Sequence, residues 1–251
     1  STAFLEIKKN ILTIKTTDLE QTIISETTIK DEQSGSVCIP MGKLHEIVLA
    51  MPEDKISFSV NEDFLVEINN KQGTYKITGR STEEFPEESS DETADKIKLK
   101  GELLYNIIEA TAYATSKDDL KPALSGVYFN FKKEGITAVA TDGHRLVKHT
   151  VKETASTNQS LIIPVKFLNI IKNTINKKDT VSIDIKENSL LTKQKNITIE
   201  TRVIKETYPD FNSVIPENNT MCASVKTKSL IDCLKRVSIF SNRTTKQTVL
   251  D

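Results

Sequence analysis

The chain has 251 residues, 37% hydrophobic and 27% charged, with 34 Lys and Arg against 35 Asp and Glu for a formal net charge of -1. That length holds one large domain or two medium ones, and the balanced charge excludes a globally basic nucleic-acid binder while allowing a locally basic surface. The longest apolar runs, 47–51 and 161–163, fall far short of a membrane span, and residues 1–20 lack the build of a signal peptide. The three cysteines, Cys38, Cys222 and Cys233, have no metal-like spacing, which points to reduced thiols in a cytoplasm and to no metal or membrane partner.

In chain order, the alternation of Ile11, Thr13 and Lys15 predicts a strand that ends in Thr17-Asp18. Ile39-Pro40 closes another strand, and Leu44, Ile47, Val48 and Met51 then recur at helical spacing over 41–51. Strands are predicted at 56–60, 64–68 and 74–79. Residues 83–95 hold seven acidic side chains and a proline and read as a solvated connector. Leu104, Ile107, Ile108 and Thr111 give a helix near 101–115, followed by a strand at 126–131. Strands 136–141 and 144–151 flank Asp142-Gly143, which predicts a two-residue hairpin. Ile163-Pro164 leads into a helix over 165–175 with Leu168, Ile171 and Ile175 on one face. Strands at 181–185, 189–193 and 196–204 follow, and a last helix spans 227–240.

This succession repeats. Thr17-Asp18 recurs as Thr141-Asp142 and Ile39-Pro40 as Ile163-Pro164, both at an offset of 124. Phe85-Pro86-Glu87 recurs as Tyr208-Pro209-Asp210 at 123, and Arg80 as Arg202 at 122. Segment 101–117 runs parallel to 227–243 at 126, so a third copy opens near residue 221. The chain is therefore read as a fragment of a longer three-unit protein, trimmed at both ends. Its units are 1–95 without an opening helix, a complete 96–219, and the start of a third at 220–251. Short hairpins imply antiparallel sheets and two amphipathic helices per unit imply cover on one sheet face, so the class is α+β.

Thr141-Asp142-Gly143-His144-Arg145 is the strongest catalytic candidate, since Asp142 and His144 could form an acid–base dyad. Copy one carries Asp18-Leu19-Glu20 there, and neither a second carboxylate nor a nucleophile stands at a telling distance. His45 and His149 share no metal spacing, and no Walker motif, GxGxxG or HExxH occurs, so no cofactor is expected. Lysines are more informative. Lys166, Asn169 and Asn173 lie opposite the apolar stripe of helix 165–175 with Lys172 at its margin; Lys43, Lys228, Lys235 and Arg236 occupy other helices, and Lys117 and Lys121 follow helix 101–115. Helices with uncompensated lysines over a body whose loops carry the acids would attract phosphates without reading sequence. The alternatives to such a surface are an acyl- or phosphoryl-transferring enzyme using Asp142 and His144, or a repeat scaffold binding peptides but not DNA.

The run Ala138-Val139-Ala140-Thr141-Asp142-Gly143-His144-Arg145-Leu146, then Ile163-Pro164 with Lys166, then Tyr208-Pro209-Asp210-Phe211, resembles the bacterial DNA sliding clamps, the beta subunits of DNA polymerase III. Leu120-Lys121-Pro122-Ala123-Leu124-Ser125-Gly126-Val127 resembles them too. The resemblance covers the whole chain in order. It implies the DNA-clamp fold in a homodimeric ring of six domains, helices lining the hole. It also implies a processivity factor that encircles double-stranded DNA, tethers DNA polymerase III, clamp-loader subunits, other polymerases and repair proteins through short peptides, and catalyses nothing itself. Carried over by position, Lys166 faces the DNA, with Lys43, Lys117, Lys121, Lys172 and Lys235 by helix placement; Asn173 replaces an arginine of some relatives. The resemblance assigns Leu124, Thr141, Gly143, His144, Arg145, Leu146, Pro209 and Val214 to one wall of the peptide pocket, with Ser213 in place of a family arginine. It assigns Tyr75 and Ile77, and on the other side Ile239 and Phe240, to the dimer interface.

Overall fold

The structure, a computed structural model, describes residues 2–30, 33–86, 93–153, 157–242 and 247–249. Residues 87–92 of the connector predicted at 83–95 lie outside the described residues, and a strand already runs from residue 93. The chain divides into two units, Ser1–Pro209 and Asp210–Asp251.

The first unit realises the repeat element for element. Strands β1 (Thr2–Lys8), β2 (Ile11–Thr17), β3 (Gln21–Thr28) and β4 (Gly35–Pro40) precede helix α1 (Met41–Ala50) and strands β5 (Ser57–Val60), β6 (Leu65–Asn70) and β7 (Gly73–Thr78). After β8 (Thr93–Lys100) and α2 (Gly101–Thr111), with one-turn 3-10 segments at Ala112–Ala114 and Pro122–Ser125, the same order returns. It runs through β9 (Gly126–Lys132), β10 (Gly135–Thr141), β11 (Leu146–Val151), β12 (Gln159–Pro164), α3 (Val165–Thr174), β13 (Thr180–Lys186), β14 (Ser189–Gln194) and β15 (Ile197–Arg202).

Sheet order carries the same symmetry. One four-stranded sheet runs β11-β10-β9-β12, and its counterpart β3-β2-β1-β4 forms half of an eight-stranded sheet, β4-β1-β2-β3-β15-β14-β13-β8. The third sheet, β5-β6-β7, mirrors β13-β14-β15. The halves of the large sheet meet where β3 pairs antiparallel with β15, Gln21 opposite Thr201 through Ser25 opposite Ile197. All named pairings are antiparallel, as short connections require.

Ile-Pro recurs because it makes a joint. Pro40 and Pro164 are the last residues of β4 and β12, opposite Thr2 and Gly126. A proline has no N–H for the ladder, so the strand stops and the helix starts at the next residue. The Phe-Pro and Tyr-Pro recurrences are packing motifs: Phe85 stands 5.2 Å from Phe4, and Tyr208 stacks 5.1 Å from Tyr128, the same strand position in the two copies.

Two apolar clusters result. Ala3, Leu5, Val37, Ile39, Leu44, Val66, Ile68 and Ile77 form the first. The larger is built on Ile97, Leu104, Ile107, Ile108, Phe129, Phe131, Phe167, Leu168 and Ile171, with Ile23 of β3 packed against it. Helix α2 packs on α3, β8, β10 and β11, while α3 packs on β12 and β15. The two helices thus rest on strands of both sheets that the second copy enters. Gly101 fits under this arrangement because a Cβ there would lie 2.6 Å from the Asn176 carbonyl. In the second unit, α4 (Thr227–Val237) is amphipathic, with no buried residue.

Candidate functional site

The Thr-Asp repeat is a loop brace. Thr141 pairs with Leu146 across β10 and β11, so four residues, not two, make the turn. Asp142 dictates this: its Oδ1 accepts the backbone N–H groups of His144 at 2.9 Å and Arg145 at 3.0 Å. The Thr141 hydroxyl donates to the Arg145 carbonyl at 2.7 Å and accepts the Gly143 N–H at 3.1 Å, and Gly143 takes φ +91°. Copy one has the same four bonds. Asp18 Oδ1 accepts from Glu20 and Gln21 at 3.0 and 2.7 Å, while Thr17 donates to Gln21 at 2.9 Å and accepts from Leu19 at 3.0 Å. Leu19 stands at φ +74° where copy two has glycine.

The brace also answers the dyad. The N–H of His144 holds the Asp142 carboxyl below its usual range, helped by the Arg145 N–H and guanidinium. Oδ2 accepts Arg145 Nε at 3.0 Å, and among the described residues the His144 imidazole has no bond to Asp142. The carboxylate is occupied as a structural acceptor, so it is a poor general base.

Thr141, Gly143, His144, Arg145 and Leu146 are consecutive with Asp142, and Leu146 is half-buried at the start of β11. Leu124, half-buried in the 3-10 turn before β9, accepts the Ser116 N–H at 2.8 Å. Pro209 is exposed beside Tyr208, whose hydroxyl reaches the Val139 carbonyl at 3.4 Å; burial pushes that phenol up to about 12. Val214 belongs to the second unit and is 66% exposed. Sequence reading missed Tyr113, which lies under Arg145: its carbonyl accepts a guanidinium N–H at 2.7 Å and its ring stands 5.4 Å from the guanidinium carbon. No pattern marked it, because its spacing reads simply as the end of helix 101–115.

The lysines divide. On α3, Lys166, Asn169 and Asn173 are exposed, opposite buried Phe167, Leu168 and Ile171. The expectation of uncompensated lysines needs correction. Lys172 Nζ lies 2.5 Å from Glu109 of α2, which raises the pKa of the lysine, and Lys166 Nζ lies 3.5 Å from Glu20. The exposed face of α2 carries Glu102, Asn106 and Glu109, so acids are not confined to loops and the connector. Lys43 is exposed, yet it stands at the helix position that Phe167 fills in copy two. Lys117 and Lys121 are exposed between α2 and β9, and Lys235 is on α4. Tyr75 is 37% exposed on β7, an edge strand among the described residues, whereas Ile77 is buried in the first cluster and offers no side-chain surface. Ile239 and Phe240, just past α4, are 77% and 90% exposed.

Two family models match in tandem: the N-terminal domain of the DNA polymerase III beta subunit over residues 1–89 and its central domain over 98–210. The beta sliding clamp of Halalkalibacterium halodurans is 26% identical over 226 residues, which are 88% of this chain and 60% of that protein. That of Bacillus subtilis is 28% identical over 213 residues, 84% of this chain and 56% of the relative. The chain thus spans somewhat over half the length of these relatives. Among solved structures, a sliding clamp from Pseudomonas aeruginosa bound to griselimycin superposes with a TM-score of 0.89 at 20% identity, covering 98% of this chain and 68% of that one. The Bacillus subtilis clamp gives 0.86 at 24%, covering 97% and 67%. With both domain models in order along the repeat and the clamp fold throughout, the chain belongs to the DNA polymerase III beta subunit family, the sliding clamps.

Proposed function

We propose that this chain serves in a DNA polymerase processivity factor, a ring that encircles duplex DNA and tethers polymerase III, clamp-loader subunits and other repair and replication proteins by short peptides. It catalyses no reaction; retention is topological and the site of action is the cytoplasm. The domains run to about 95, from 96 to 219, and from 220 onward, and two subunits close the ring.

One observation carries this reading. The two copies are stitched edge to edge by β3 against β15. The strands at the equivalent positions, β11 and β7, are edges among the described residues. A third copy pairing on β11 through its own β15 equivalent, and another subunit pairing on β7 through its β3 equivalent, would continue the sheet. Repeated alike, such joints close into a ring rather than a filament when the rotation per unit divides the circle. Tyr75 on β7, with Ile239 and Phe240 after α4, would serve that subunit contact. Lys166 on α3 is the leading phosphate contact, with Asn169 and Asn173 beside it. The loop 141–146 with Leu124 and Pro209 would supply the peptide site, apolar anchors with a polar edge.

The test extends this chain to the length of its relatives, loads it on nicked circular DNA, and follows retention before and after linearisation. Stable retention on circles with escape from linear ends is expected. Equal retention on both forms would mean ordinary surface binding, and none on either would return the chain to a peptide scaffold.

A further inference from the structure

The guanidinium of Arg145 is held by this chain on three sides. Its Nε donates to Asp142 Oδ2 at 3.0 Å, one terminal nitrogen donates to the Tyr113 carbonyl at 2.7 Å, and the group lies over the Tyr113 ring at 5.4 Å. We propose that Tyr113 is a positioning residue of the peptide-docking site, holding Arg145 so that its remaining N–H groups meet an acceptor on the docked peptide. The inference rests on the docking site proposed above.

Three observations converge. Tyr113 is 58% exposed, so packing does not require its ring. The loop does not require an arginine either: Gln21 takes this place in copy one under the same hydrogen bonds, and there it is buried opposite Thr201. Finally, the other terminal nitrogen of Arg145 has no partner among the described residues, while the two engaged nitrogens fix the plane of the fork. A free arginine must give up rotamer freedom to bind; one already clamped by a carboxylate, a carbonyl and a ring has done so beforehand. The acceptor it suits is a peptide carboxylate or carbonyl next to the apolar side chains that seat on Leu124 and Leu146.

The probe is a fluorescein-labelled hexapeptide with one aspartate followed by leucine and phenylalanine, titrated by anisotropy against the protein extended to its relatives' length. Tyr113→Ala should weaken binding roughly fivefold, as loss of an exposed cation–π contact and of preorganisation predicts. Tyr113→Phe should restore affinity, and Tyr113→Leu should behave as the alanine. In an Arg145→Ala background Tyr113→Ala should change nothing further, and the melting temperature should hold in every Tyr113 variant. Undiminished affinity in Tyr113→Ala, or an equal loss with and without Arg145, would overturn the proposal while leaving the docking site intact. If the unsubstituted protein fails to bind, or Leu146→Ala binds as well as it does, the docking site itself is wrong.

Discussion

Asp142 acts through its oxygens rather than its proton. It is an acceptor for two backbone N–H groups and one guanidinium N–H, and Asp18 repeats the backbone part of that task at a loop with no histidine or arginine. Asp142→Ala should therefore cost about 1–2 kcal/mol by leaving those donors without their acceptor, whereas Asp142→Asn, which keeps an acceptor oxygen, should cost less. The two differ from wild type in acid as well. Because the folded-state pKa of Asp142 is lowered, its carboxylate contributes stability above the unfolded carboxyl value and loses it as pH falls through the folded one. Urea unfolding from pH 5 down to pH 2 should show a shallower decline in Asp142→Asn than in wild type. Tyr208 gives the opposite limb. Its phenol is pushed up to about 12 by burial, so the unfolded chain gives up that proton first and stability falls as pH rises above about 10. Copy one already uses Phe85 here, against Phe4. Tyr208→Phe should be near neutral at pH 7 and more stable than wild type at pH 10.5; equal alkaline loss in both proteins would show that the phenol is not the group responsible.

At the scale of elements, identical helix positions meet different surroundings. Leu44 and Leu168 are equivalent, but α3 is covered by α2 and Leu168 is fully buried, while Leu44 is 7% exposed and Val48 and Leu49 of α1 are 43% and 71% exposed. Leu168→Ala should cost about 3–5 kcal/mol and Leu44→Ala nearer 2, because a site at the rim relaxes around its cavity; urea midpoints of the two variants order them. The same contrast marks the reach of the sequence. Period and punctuation located the strands and helices, since Ile-Pro joints, alternation and apolar spacing are local signals, and the fixed offsets revealed the repeat. What covers an apolar stripe is a non-local fact, so Leu44, Ile47, Val48 and Met51 read as one core face although only Leu44 is buried. Asp-Gly between strands reads as a two-residue turn until the carboxylate is seen to gather N–H groups two and three residues on. The residues of the proposed docking site stand out in sequence through the Thr-Asp-Gly-His-Arg-Leu phrase, but Tyr113 does not, because its link to Arg145 spans 32 residues of sequence.

At the scale of the whole molecule, the DNA contact proposed above depends on which cations are not already paired within the chain. Sequence sets Lys166 opposite the apolar stripe of its helix and Lys172 at the margin, and Lys172 is spoken for: Glu109 at 2.5 Å neutralises it locally and raises its pKa. Lys166 meets Glu20 only at 3.5 Å, with both side chains exposed, an ion pair of little worth that a phosphate readily replaces. Each phosphate neutralised on duplex DNA releases about 0.9 of a counterion, so the slope of log affinity against log salt counts the contacts. Lys166→Ala, in the protein extended to its relatives' length, should flatten that slope by about one and weaken binding alike on all sequences. Lys172→Ala should change the slope by much less, and Glu109→Gln should steepen it by freeing the lysine. Anisotropy titrations of a labelled duplex between about 50 and 200 mM salt separate the three. If Lys166→Ala leaves the slope where it was while Lys172→Ala flattens it, the α3 face with Lys166, Asn169 and Asn173 is not the surface that faces DNA, and the lysine tied to α2 is.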